Sequence, residues 1–234
     1  MLKYIAKRIG LALITIFTVA TLTFFLMNMV PGGPFLSEKA ISPQATAALE
    51  AKYGLDKPLW QQYLTYMAGA SHGDFGDSLK QRGRTVMDII TMKFPVSARV
   101  GGVSVLVALL LGVPLGCIAA LKRGKFLDNL ISVVSTCGIA VPSFVICTLL
   151  LYFFGVRLQI LPTMGLTSWK HYVMPVMALA FYPTAYIMRL MRSSMLDVLG
   201  QDYMRTAKAK GLAGGKILFK HALRNAILPV ITYV

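Results

Sequence analysis

Three histidines and three cysteines are the side chains best suited to catalysis or metal binding, and their spacing supports neither. His72, His171 and His221 are scattered, without an Asp, Ser or Cys at the separation that a triad or metal centre needs. Cys117, Cys137 and Cys147 sit within apolar stretches, with no paired spacing for zinc or a disulfide framework, and read as small core residues. A nucleotide-binding loop is excluded as well. Gly215-Lys216 is followed by Ile217 where the phosphate loop requires Ser or Thr, and Lys210 stands in place of its first glycine. What is left is a basic, glycine-punctuated segment, Arg205-Thr206-Ala207-Lys208-Ala209-Lys210-Gly211-Leu212, running on to Leu228-Pro229 between two apolar stretches. Its chemistry is recognition, not bond-making.

The elements that position this segment belong in a membrane. The chain has 234 residues, of which 56% are hydrophobic and 14% charged, with a mean hydropathy of +0.65. Four charge-free runs stand out: Ile9 to Val30, Val100 to Leu121, Asn129 to Val156 and His171 to Met188. Each is long enough to cross a hydrocarbon core of roughly 30 Å as a helix rising about 1.5 Å per residue. A fifth run, Asn225 to Val234, has only 10 residues. It is too short to span, so the 234 residues are expected to be an incomplete copy of a longer protein with at least one further span. The first run follows Lys3, Lys7 and Arg8 like a signal peptide, but it is longer than a signal core. Pro31-Gly32-Gly33-Pro34 stands where a cleavage site would lie, which favours a retained helix.

Charge sets the orientation. With the N-terminus placed inside the cell, 14 of the 24 Lys and Arg and three of the nine acids fall in inside segments, giving +11 inside against +4 outside. The positive-inside rule is met, and topology with anionic lipid accounts for the net +15 without nucleic acid. No Asp, Glu, Lys or Arg lies within the four runs. Proton relays, ion-coupled carriers and charge-lined pores carry such residues at membrane depth, so any transport here draws energy from elsewhere. An intramembrane enzyme would need paired polar catalytic residues at that depth, and none is evident.

The organisation is then residues 1–30 as N-terminus and first span, 31–97 as an external region, and 98–234 as a core with a cytoplasmic loop at about 189–224. In the external region, Ser42 to Tyr53 should form a short helix ended by Gly54, and Leu59 to Met67 another with an aromatic face. Gly112 and Gly116 flank Pro114 in a G-x-x-x-G pair that would let another helix approach closely. Pro142, Pro175 and Pro183 add breaks within spans.

Beyond the fourth run, the helix should continue with Met188, Met191, Met195, Val198 and Leu199 on one side, and Gly200 should break it. Gln201 to Lys210 reads as a second short helix ending at Gly211, a left-handed position. Gly214 and Gly215 should then allow a sharp turn into Lys216 to Arg224, with Ile217, Leu218, Phe219, Ala222 and Leu223 opposing a basic face. A polybasic helix lying on lipid needs no such shape. Helix, turn and returning helix fit a groove on a protein partner.

This segment resembles the coupling loop of binding-protein-dependent ABC importer permeases, whose pattern is Glu-Ala-Ala, three residues, Gly, then Ile-x-Leu-Pro. The counterparts are Arg205-Thr206-Ala207, Gly211 and His221-Ala222-Leu223-Arg224. Arg205, Thr206, His221 and Arg224 depart from the pattern. The form in the oligopeptide and dipeptide subfamily is closer, and the opening MLKYIAKRIG, the stretch Gly73 to Ser78 and Phe94-Pro95-Val96-Ser97 also fit that subfamily. The resemblance implies an all-α, polytopic membrane protein, here four complete spans and the start of a fifth out of six. It implies an inner-membrane pore subunit paired with a homologous permease, two ATPase subunits and an extracytoplasmic binding protein, without catalysis or cofactor of its own. ATPase subunits would grip Arg205 to Leu212, with His221 and Leu223 in the returning helix, and peptide would cross by alternating access. Nickel or glutathione import by the same architecture is an alternative, and a stand-alone channel or scaffold another. No side chain is assigned to the substrate path.

Overall fold

The computed structural model describes residues 1–29, 51, 54–78, 81 and 83–234. Among these the chain is helical, apart from loops and one isolated bridge, Asp77 with Thr85. It divides into two compact units, Met1–Phe94 and Pro95–Val234.

In the first unit, α1 (Leu2–Met29) takes in the first apolar run as far as Met29, and most of its large side chains are exposed, Phe24 being half-buried. Near its end, the Thr21 and Tyr63 hydroxyls pair at 2.8 Å, and the rings of Phe24 and Phe25 lie 5.4 to 5.8 Å from Tyr63 or Tyr66. These tyrosines belong to α2 (Leu59–Ser71), which runs four residues past the expected Met67. Of the expected helix Ser42 to Tyr53, all but Ala51 lies outside the described residues; Gly54 adopts the left-handed φ of 68°. Helix α3 (Val86–Leu121) opens with a reciprocal cap: Asp88 accepts from the Thr85 N–H, and the Thr85 hydroxyl accepts from the Asp88 N–H. That cap starts the helix well ahead of the charge-free run at Val100, and Pro95 is carried inside it.

In the second unit, α3 packs against α6 (Trp169–Leu199) through a row of small residues: Ser104, Ala108, Gly112, Gly116 and Ala120 are all buried. In lipid no hydrophobic force draws helices together, so close backbone approach supplies the contact. A Cβ on Gly112 would lie 2.7 Å from Ile187 Cγ2, and one on Gly138 2.6 Å from Ala185 Cβ. The G-x-x-x-G pair is therefore a packing surface.

The third run departs from expectation. The stretch expected as one span from Asn129 to Val156 is sharply bent: α4 (Phe126–Ala140) is followed by α5 (Ser143–Leu150), the latter continuing into a π-helical stretch, Leu151–Arg157, with a 97° bend at the break. Pro142 has no N–H to donate and forces Val141 out of the helical region, so both sit extended, at ψ 139° and 123°. Among the described residues three helices are long and apolar enough to cross a membrane, and the bent pair is a fourth candidate. The cysteine reading is also corrected: Cys117 is half-buried, but Cys137 and Cys147 are exposed on the chain's surface.

Candidate functional site

Helix α6 outruns its apolar part and ends at Gly200, with Met188, Met191 and Met195 buried along one side as expected. The chain turns into α7 (Asp202–Ala209), with Asp202 in its first turn and Lys208 in its last, both matching the helix dipole. Lys210 caps the end and Gly211 follows at φ 74°. The Gly211 N–H donates to the Lys208 carbonyl at 3.0 Å and the Leu212 N–H to that of Ala207 at 3.4 Å, the paired bonds of a Schellman turn. No atom would crowd a side chain at Gly211, so what holds glycine there is backbone conformation alone.

One side of α7 faces inward. Met204 is 1% exposed and Ala207 is buried, in a cluster with Met191, Met195, Ile217, Ala222, Ala226 and Val230, while Leu212 and Leu223 pack against it half-buried. The other side is open: Arg205, Thr206, Lys208, Ala209 and Lys210 are exposed. Thr206 only returns its hydroxyl to the Asp202 carbonyl, and Arg205 pairs with Asp202 at 3.6 Å in full solvent, a contact of little strength. A basic face on a firmly seated helix results.

The return differs from the sequence reading. Gly214 and Gly215 are already helical, in α8 (Gly214–Lys216), and the turn lies before them at Gly211 to Ala213. A π-helical stretch, Ile217–Leu223, follows, then α9 (Arg224–Ala226) and α10 (Leu228–Tyr233). Bonding five residues back brings Ile217 and Ala222 onto one buried side and leaves Phe219, expected among them, 68% exposed. His221 is half-buried and its carbonyl accepts from the Asn225 amide. That amide also donates to the Tyr203 hydroxyl at 3.0 Å, and the Ser194 hydroxyl to the Ala226 carbonyl at 2.8 Å. These bonds tie the returning segment to α7 and α6. Sequence spacing had signalled neither.

The remaining histidines are structural: His72 bonds Ser71 and the Ala68 carbonyl, and His171 closes the Ser168 cap of α6. Among the described residues no cluster of His, Cys, Asp or Glu could hold a metal. A groove between α3 and α6, lined by Val103, Val107, Trp169, Tyr172 and Val176, has a volume of about 550 Å³ and is apolar.

Two families match the sequence. Residues 1–101 match the N-terminal family of binding-protein-dependent transport system membrane components, and residues 112–234 match the binding-protein-dependent transport system inner membrane component. The chain belongs to this family. The permease is 46% identical over 232 residues to the dipeptide transport system permease protein DppB of Bacillus subtilis, covering 99% of this chain and 75% of that protein. To the oligopeptide transport system permease proteins OppB of Salmonella typhimurium and Haemophilus influenzae it is 42% and 44% identical over 236 residues, covering all of this chain and 77% of each. It is thus a multi-pass component of an inner-membrane transport system, of a kind with permease subunits and not ATPases.

Proposed function

We propose that this permease forms one half of the pore of an ATP-driven importer of dipeptides or oligopeptides. Its N-terminus lies in the cytoplasm, a homologous permease supplies the other half, and two separate ATPase subunits grip α7 and the turn at Gly211. A binding protein delivers peptide to the outer face. Nucleotide-driven closure of the ATPases moves α7, and α6 carries that movement into the spans. The observation that supports this reading is the two-sided character of α7: Met204 and Ala207 anchor it in the permease's own core, while Arg205, Lys208 and Lys210 face out. Relatives bearing dipeptide and oligopeptide names favour peptide over nickel or glutathione as cargo.

The test is affinity purification of the full-length permease in mild detergent from its native membrane, with mass spectrometry of all stoichiometric companions. Recovery of a second permease and ATPase subunits is expected. Recovery of the permease alone, under conditions that keep a known ABC complex whole, would transfer the assignment to a channel or scaffold.

A further inference from the structure

Arg192 of α6 makes a two-pronged ion pair with Asp128 in the first turn of α4: Nε donates to Oδ1 at 2.5 Å and Nη2 to Oδ2 at 2.8 Å. Asp128 is 2% exposed, and its Oδ2 also accepts from the Gly124 N–H at 2.9 Å, so the tight turn between α3 and α4 is held by the same carboxylate. At this level α3 is pressed against α6 too, because a Cβ on Gly116 would lie 3.2 Å from the Arg192 backbone nitrogen. Three helices and one turn thus meet around a single ion pair. The pair sits just beyond the charge-free runs, which begin at Asn129 and end at Met188. It lies between the spans and the basic helix α7.

We infer that Arg192 and Asp128 are positioning residues that clamp α4 to α6, so that displacement of α7 moves the spans as one body. The inference rests on the proposed coupling role of α7. Thrust entering at α7 reaches α6 directly through the chain, whereas α4 is joined to α6 along the chain only by way of α5 and the segment that follows it. Small, smooth contacts such as Gly138 on Ala185 let helices slide, whereas a planar guanidinium fixed on both carboxylate oxygens resists sliding and rotation together. Beyond α4 lies the 97° break at Val141 and Pro142, so the clamp also governs what α5 receives.

The experiment uses the complete transporter, purified with its partners and reconstituted in proteoliposomes, with uptake of a labelled tripeptide that the unaltered complex carries. Uptake per ATP hydrolysed is measured for D128N, R192Q, R192K and, separately, G211P. D128N and R192Q are expected to keep their partners and hydrolyse ATP while uptake per ATP falls about tenfold. R192K, which keeps the charge and loses the planar fork, should fall in between. Unchanged uptake per ATP in D128N and R192Q, even if less complex is recovered, overturns the clamp, because a merely structural role lowers uptake and hydrolysis together. Normal uptake per ATP in G211P would instead strike the coupling reading of α7 itself.

Discussion

Gly116 and Met191 stand closer than any side chain at position 116 would permit: a Cβ there would lie 2.7 Å from Met191 Cβ and 2.7 Å from the Met188 carbonyl oxygen. The nearest obstacles are the base of a side chain and backbone, neither of which can swing aside. Gly116→Val should destabilise the permease by about 1–3 kcal/mol, the usual cost of overpacking. Gly101→Ala on the same helix meets nothing within 4 Å and should be neutral or stabilising. Thermal denaturation of the purified permease in detergent distinguishes the two, and equal midpoints would mean that α3 and α6 are not in this contact.

Gly211 gives a prediction of the opposite kind, because the space around it is empty and only φ 74° is demanding. A β-branched residue in the left-handed region costs about 1–2 kcal/mol, whereas Asn tolerates it. Gly211→Val should therefore uncouple ATP hydrolysis from uptake while membrane insertion persists, and Gly211→Asn should keep most activity. Uptake and hydrolysis measured on the same vesicles would settle it. Normal coupling in the valine variant would show that the Schellman turn does not aim α7.

What was legible in the sequence followed from local rules. Gly200 and Gly211 end helices because backbone conformation is decided within a few residues, and the buried methionines of α6 repeat at helical spacing. Pro142 signalled a break, but its 97° size depends on Val141 and Pro142 both being extended. Phe219 was misplaced because helical spacing was assumed where the chain is π-helical. The Asp128 and Arg192 pair was invisible for a plainer reason. Its members are 64 residues apart, and the acid sat among Lys122, Arg123 and Lys125, where it looked like loop charge.

The outward face of α7 predicts salt-dependent assembly. Arg205, Lys208 and Lys210 are exposed and contribute nothing to the permease's own core. Reversal of all three to Glu should leave the permease folded and inserted but weaken ATPase recovery at least tenfold near physiological salt. Surface charges are screened over about 8 Å there, so the unaltered complex should also loosen as salt rises. Lys170, exposed at the other end of α6, supplies the control, and its reversal should not matter. Quantitative copurification across a salt series reads this out. Undiminished recovery of ATPase with the triple reversal would assign docking to another surface.

The Asp128 carboxylate precedes its charge-free run, and the Arg192 side chain that hydrogen-bonds it holds its pKa down to about 2, against the pull of burial. An unfolded aspartate titrates near 3.9, so the folded value is the lower one. Stability from this pair is then fully present above the unfolded value and is lost as pH falls from about 5 toward about 2. Many carboxylates titrate in that window, so the informative quantity is the difference in thermal midpoint between the unaltered permease and Asp128→Asn. It should be constant between about pH 6 and 8, where Asp128 is ionised in both states, and should shrink steadily below about pH 5. A difference that stayed constant into acid would mean that the carboxylate stabilises by its shape and hydrogen bonds alone, whatever its charge.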